Sequence, residues 1–290
     1  MGTPEPEDAA PERSRADLGH ARPRTYEELR AVLASGTVHF PKRLRQVAIF
    51  LWQHPREVAL STVGQIADGA GVPPSALVRF AQSLGFSGFS ELQALFKDHV
   101  KGMRAEAPRP AHGEAGREAR VVSGLVAAAR HSLDRLEEGG PASALGDMAA
   151  RLAEADLVHL VGSKRAFPVA AYLSLTFSQV GVRNVLVDNV GSGALDHVGC
   201  LGGRDAVLAV SFSPYNSITP DLVAVARERG AAVVAITDSA LSPLVPLSDA
   251  WIEVVESDFA GVRSLAASLV VGMALVQGVA ARRRDVGRHD

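Results

Sequence analysis

The chain of 290 residues is long enough for two domains, and 47% of those residues are hydrophobic, sufficient for true cores. Its net charge of -2 gives no whole-chain basic signal for nucleic acid, and the single cysteine, Cys200, excludes an internal disulfide or a multi-cysteine metal site. The nine histidines form no HxxxH pair and no cluster with cysteine, so neither a metal nor a cofactor is expected.

Residues 1–24 are rich in Pro, Ala, Glu and Arg, lack hydrophobic periodicity and are expected to form a disordered tail. They have no apolar h-region and do not read as a signal peptide. No apolar run in the chain reaches membrane-spanning length, and a lone cysteine suits a reducing compartment. A cytoplasmic protein with no membrane partner is expected.

Residues 25–104 read as a helical domain. Between His20 and Arg104 there are 11 Lys/Arg against 6 Asp/Glu, a local +5, whereas the flanking segments carry -3 and -4. Such a basic segment fits phosphate contact or an ordinary solvated surface. Tyr26–Leu33 and Arg43–His54 read as helices. The second has an apolar stripe of Leu44, Val47, Ala48 and Leu51. Lys42, Arg43 and Arg45 flank it, placed to touch phosphate or to be solvated.

Ser61 to Glu91 carries the strongest local signals. Thr62 and Gln65 have the spacing of a capping box, so a helix starts at Val63. It ends near Gly69–Gly71, where glycine tolerates a left-handed turn. Pro74 opens the next helix, in which Leu77, Phe80, Ala81 and Leu84 form one apolar stripe while Ser75, Arg79 and Gln82 face outward. This is the pattern of a helix-turn-helix with its recognition helix, and equally of an ordinary helical hairpin. A further helix is expected over Glu91–Lys101.

Residues 105–117, including AEAPRPAHGEAG, have the composition of a linker, and Glu118–Glu137 reads as a long helix. From Asp156 the rhythm changes. The strand-like runs Leu157–Val161, Asn184–Val187, Asp205–Val210, Ala231–Thr237 and WIEVV alternate for the most part with helical segments such as Pro168–Gln179 and Pro220–Arg229. That alternation means βαβ units around a parallel sheet. The run Leu269–Val279 reads as a buried helix. Cys200 lies in an apolar stretch and reads as a buried, inert thiol. Gly191-x-Gly193 lacks the third glycine of a dinucleotide motif.

Ligands of open α/β sheets bind outside the carboxyl ends of the strands. Two loops fit that position: Gly162–Ser163–Lys164–Arg165, and Ser211 to Ser217 with Ser211, Ser213, Asn216 and Ser217 as its polar members. Hydroxyls, an amide and helix-start N–H groups suit a phosphate or carboxylate, but equally serve as helix caps.

The run ALVRFAQSLGFSGFSELQ, with the Arg79–Phe80 pair and the Leu84–Gly85–Phe86–Ser87–Gly88–Phe89 run in register, resembles the amino-terminal helix-turn-helix domain of RpiR-type transcriptional regulators. Pro73 stands where that family has a capping serine. LVHLVGS, AVLAVSFS, LVAVARERGAAVVAITDS and SPLVPLSDAWIEV resemble a sugar isomerase (SIS) domain. The resemblance implies an all-α helix-turn-helix domain followed, over residues 118–290, by an α/β domain. That domain is a Rossmann-like three-layer sandwich with a parallel sheet flanked by helices. It also implies a DNA-binding regulator acting on a pseudo-palindromic duplex operator as a homodimer or tetramer, controlled by a small anionic metabolite. Thr62, Ser75, Ala76, Arg79 and Gln82 are the expected DNA contacts. Gly162, Ser163, Lys164, Arg165, Ser211, Ser213, Asn216 and Ser217 are the expected ligand residues. Three departures change the ligand loops: Pro214 replaces a glycine, Lys164 a second glycine and Ala166 a serine. They shift the expectation away from an ordinary sugar phosphate toward an anion held by Lys164 and Arg165.

The alternatives are a regulator using its second domain only to dimerise, and a sugar-phosphate isomerase with a helical appendage. An isomerase needs a general base. The two loops contain no Glu or His, Asp188 and His197 are nearby at best, and no carboxylate pair is evident.

Overall fold

The computed structural model describes residues 21–34, 40–105 and 115–286. The chain divides into two units, one comprising residues up to Ala48 with Arg56–His99, the other Ile49–Pro55 with Val100 onward.

Six helices run through the amino-terminal half: α1 (Tyr26–Ala34), α2 (Lys42–Gln53), α3 (Pro55–Leu60), α4 (Val63–Gly69), α5 (Pro74–Ser83) and α6 (Phe89–Ala105). Leu29, Val47, Val58, Ile66, Leu77, Phe80, Leu84, Leu92 and Phe96 are buried in it. Tyr26 packs edge-on to Phe96 with ring centroids 5.2 Å apart. The buried Gln93 amide donates to the carbonyls of Val58 and Ser61, both at 2.8 Å, satisfying the exit of α3. Helix α5 ends in a Schellman motif: Phe86 N–H bonds to Ala81 and Gly85 N–H to Gln82, with Gly85 at φ 86°. The Leu84–Gly85–Phe86 run is therefore a helix stop whose Phe86 returns to the core.

Within the second unit, α7 (Ala115–Glu138) and α8 (Ala142–Glu154) lead into the sheet. Then follow β1 (Leu157–Gly162), α9 (Phe167–Gln179), β2 (Asn184–Val187), α10 (Ala194–Gly199), β3 (Asp205–Ser211), α11 (Ile218–Glu228), β4 (Ala232–Thr237) and β5 (Ala250–Glu253). A two-stranded hairpin, β6 (Asp258–Phe259) and β7 (Val262–Arg263), leads into α12 (Ala266–Val286). The five-stranded sheet is parallel throughout, in the order β2-β1-β3-β4-β5. Strand alternation divides its side chains. Val158, Leu160, Leu208, Val210, Val234 and Ile236 join the core with α8, α9 and α12. Val161, Val207, Ala209, Val233 and Ala235 join that of α10 and α11. The expected three layers are present. From β1 the chain steps to β2 on one side and from β3 to β4 on the other, so the strand order reverses between β1 and β3. No helix among the described residues is long and apolar enough to cross a membrane.

Several expectations need correction. Helices α3, α8 and α10 have no counterpart in the sequence reading. Of the expected tail, residues 1–20 lie outside the described residues. Pro23 is buried, and Arg22 pairs with Glu91 and lies over the Phe86 ring. Of the expected linker, residues 106–114 lie outside the described residues, and α7 already begins at Ala115. Cys200 is exposed rather than buried. It follows the short helix α10, whose Val198 and the succeeding Leu201 take the core positions instead.

Two buried positions generate predictions. A Cβ on Gly272 of α12 would stand 2.5 Å from a methyl of the buried Leu173 on α9. Gly272→Ala is expected to cost about 1–3 kcal/mol by overpacking, read as a lower denaturant midpoint, and less in a Leu173→Ala background. His159 on β1 is buried, edge-on to His197 at 5.5 Å, with both ring nitrogens lacking a hydrogen-bond partner. Burial pushes its pKa below the ordinary 6.5, His197 adding to this and Asp205 opposing it. Below 6.5 the unfolded chain takes up a proton that the folded chain resists. Stability is thus retained above 6.5 and drains as pH falls toward the folded value. The loss in denaturant midpoint between pH 7.5 and 5 should be smaller in His159→Leu; an unchanged loss would sink this assignment.

Candidate functional site

The helix-turn-helix is built from caps. Thr62 is extended, with φ -75° and ψ 158°, and its hydroxyl accepts the Gln65 N–H while the Gln65 side chain accepts the Thr62 N–H at 2.9 Å. The capping box is complete. The turn after α4 passes through Gly71 at φ 63°, a left-handed conformation that favours glycine. Gln46 of α2 donates to the Ala70 carbonyl at 2.9 Å and fixes the turn. Pro73 caps α5 without a side-chain bond; its carbonyl accepts Ala76 N–H at 2.8 Å, so the backbone takes the place of the missing hydroxyl.

Ser75, Arg79, Gln82 and Thr62 are exposed. Ala76 is not: it is 6% exposed, beside Leu77 on the inner face of α5, and cannot read a groove. Val78 takes its place, 38% exposed and aligned at helical spacing with Ser75, Arg79 and Gln82. An amphipathic reading assigns valine to the core, which hid this position.

At the β1/β3 reversal the two expected loops are stitched together. The Asn216 amide donates to the Ser163 hydroxyl, which is 3.1 Å from that of Thr219, and Asn216 accepts the Thr219 N–H at 3.1 Å. Gly162 lies close against its neighbours, since a Cβ would stand 3.0 Å from both the Ala166 carbonyl and the Ala170 methyl of α9. Lys164 has φ 51° and is exposed, as is Ser217. Ser211 is buried, and its carbonyl accepts the Thr237 hydroxyl at 2.9 Å.

Arg165 crosses from the first loop to the second. One Nη donates to the Ser213 carbonyl at 3.3 Å and lies 4.0 Å from Asp238, and the guanidinium stacks 4.8 Å over Phe212. Its other Nη is buried without a partner. Burial and the nearby Arg263 lower its pKa, with Asp238 and Glu256 opposing. Asp238, directly after β4, accepts the Ser213 N–H at 2.9 Å and the Tyr215 hydroxyl at 2.7 Å. Burial and Asp238 in turn push the Tyr215 pKa upward. Arg263 reaches the same Ser213 carbonyl at 3.4 Å and Asp238 at 3.9 Å.

Of the eight expected ligand residues, Ser163, Arg165, Ser213 and Asn216 converge here. The sequence reading missed Asp238, Tyr215, Thr219 and Arg263. Asp238 ends a strand on the same rim and was findable by that rule; Arg263 lies on a hairpin too short to signal. Among the described residues no group of three or more His, Cys, Asp or Glu is placed to hold a metal.

Residues 28–101 match the helix-turn-helix domain of the rpiR family, and residues 151–278 match the SIS domain. The chain belongs to the RpiR family. It is a transcription regulator with a helix-turn-helix and a SIS domain. It is 24% identical to YbbH of Bacillus subtilis, an uncharacterised HTH-type transcriptional regulator, over 82% of this chain and 83% of that protein. Two solved structures share the fold. The sugar isomerase domain of an RpiR transcription factor from Sphaerobacter thermophilus has a TM-score of 0.53 and 23% identity, over 56% of this chain and 90% of that one. NanR of Vibrio vulnificus complexed with ManNAc-6P has a TM-score of 0.53 and 18% identity, over 89% of this chain and 92% of that one.

The cap geometry assigns Thr62 a structural role whatever else it touches. Thr62→Ala should destabilise the helical unit by about 1 kcal/mol, measured by denaturant unfolding, with Thr62→Ser restoring most of it.

Proposed function

We propose that this RpiR-family regulator binds a pseudo-palindromic duplex operator as a homodimer or tetramer, and that a small anionic effector at the β1/β3 crevice sets its operator affinity. The observation that carries the effector is the Arg165 guanidinium, whose buried, unpartnered Nη lies at the strand ends where open α/β sheets take ligands. A guanidinium fork suits a carboxylate or a phosphate. That NanR, a protein of the same fold, is complexed with ManNAc-6P supports a phosphorylated sugar, and the guanidinium fork alone leaves a carboxylated one open.

On the DNA side, Ser75, Val78, Arg79 and Gln82 form the outward stripe of α5. Arg79 supplies forked donors for a guanine edge, Gln82 an amide donor and acceptor for an adenine edge, and Val78 an apolar contact for a thymine methyl. Thr62 stands ready for phosphate at the start of α4. A second copy would cover the exposed Tyr172 and Leu175 of α9 with Val270 and Met273 of α12. Tyr172 and Met273 lie 3.6 Å apart, so these side chains form one apolar surface.

The enzyme reading needs a general base free to reach substrate and move a proton rather than one tied into the structure. Both carboxylates near the crevice are engaged: Asp238 as described, and Glu256 by the Ser264 hydroxyl and the Ser268 N–H and hydroxyl at 2.8–2.9 Å. The arrangement favours binding over proton transfer, and a regulator without enzymatic activity.

The test is binding of the purified full chain to its promoter-proximal DNA at fixed salt, with and without phosphorylated and carboxylated sugars. Arg79→Ala should lose about 1–3 kcal/mol of operator affinity. Arg165→Ala should retain operator affinity and lose the response to the sugar that shifts the wild type. Operator affinity unchanged in Arg79→Ala, or turnover of an aldose or ketose phosphate by the chain lacking residues 1–101, would overturn this reading.

A further inference from the structure

We propose that Arg263 is a second anion-binding residue of the crevice, and that the hairpin carrying it is the element through which the occupied crevice acts on α7. The inference rests on reading the crevice as an effector site. Arg263 and Arg165 share the Ser213 carbonyl and the Asp238 carboxylate, so an anion entering beside the unpartnered Nη of Arg165 competes for both guanidiniums at once. Two forks meeting at one carbonyl can hold an oxyanion with more charge-assisted bonds than one can.

The hairpin is closed at its base and tip and anchored along one side. At the base Glu256, buried, accepts from Ser264 at 2.8 Å and from the N–H and hydroxyl of Ser268 at 2.9 Å. At the tip Ala260 and Gly261 turn at φ 51° and 85°, and Gly261 N–H bonds to Asp258 at 2.9 Å. Along the side, Ser257 N–H donates at 2.8 Å to Ser132 of α7, whose hydroxyl donates in turn to Ala128 at 2.9 Å. The Phe259 ring lies on Gly124 of α7 so closely that a Cβ there would stand 2.1 Å from it. Glycine within a helix costs about 1 kcal/mol relative to alanine, so this bare position demands a reason, and the ring supplies it. The anchors, eight residues apart, span about 12 Å of α7. In chain order α7 is the first described element after α6, the last helix of the helix-turn-helix half. A shift of the Arg263 head, in a hairpin closed at both ends, is therefore delivered to Gly124 and Ser132.

The experiment is amide hydrogen exchange on the full chain, paired with calorimetric binding of two probes, inorganic phosphate and N-acetylmannosamine 6-phosphate. Without any probe, Arg263→Gln and Phe259→Ala should each speed exchange in residues 124–132 by about tenfold, with β3 and β4 amides unchanged. Wild-type rates in 124–132 for both variants overturn the hairpin link. With probe, Arg263→Gln should bind at least about tenfold more weakly, the worth of a charge-assisted hydrogen bond, while Phe259→Ala should bind as the wild type does. Equal affinity in Arg263→Gln overturns its role on the anion. Binding of neither probe to the wild type overturns the anion site itself, and the probe-free exchange then decides the hairpin link on its own.

Discussion

At the carboxyl ends of β3 and β4 one carboxylate does the organising. Asp238 accepts the Ser213 N–H with one oxygen and the Tyr215 hydroxyl with the other, and two guanidiniums stand about 4 Å from it. Burying a carboxylate costs several kcal/mol unless hydrogen bonds and opposite charge offset it. Here both are present, and each bond fixes a different piece of the crevice. The Ser213 N–H sets the second loop, Tyr215 anchors the residues after Pro214, and Arg165 pulls in the first loop. Loss of Asp238 would remove the carboxylate that both Arg165 and Arg263 approach beside the Ser213 carbonyl.

The same reasoning explains why the ligand loops tolerate residues foreign to the family pattern. A loop that grips phosphate with bare backbone needs glycine for close approach. With Lys164 at φ 51° and Pro214 in the second loop, that route is narrowed, and in the proposed reading the two guanidiniums supply recognition through side chains instead. Side-chain recognition carries a larger conformational entropy cost than a fixed backbone. Stacking of Arg165 on Phe212 limits that cost by holding the fork before a ligand arrives.

Much of this was legible in the sequence, for identifiable reasons. The Thr62–Gln65 box, the Leu77–Leu84 stripe and the βαβ rhythm each arise from local spacing, and the structure realises them. What was not legible depends on tertiary placement. Whether Ala76 or Val78 faces outward is set by how α5 rotates onto its neighbours, and a small residue gives no signal of it. The exposure of Cys200 is set by which side of α10 meets the sheet. Asp238 and Arg263 lie 25 residues apart and meet only because β4 ends beside a hairpin of two-residue strands. Helix α8, by contrast, carries a stripe in Met148, Ala149 and Leu152 that is legible from spacing alone.

A regulator needs its ligand to prefer one arrangement, since equal affinity for two states shifts neither. In the proposed reading the crevice meets that requirement through competition. In the structure Arg165 and Arg263 are partly satisfied by Ser213 and Asp238, at distances of 3.3–4.0 Å that are long for charge-assisted bonds. An anion offering shorter contacts gains the difference only if the two side chains move. Every 1.4 kcal/mol of that difference is a tenfold change in the balance between arrangements. Loose internal pairing thus stores the response: tight bonds to Asp238 would leave an effector nothing to improve, and the absence of Asp238 would leave it nothing to displace.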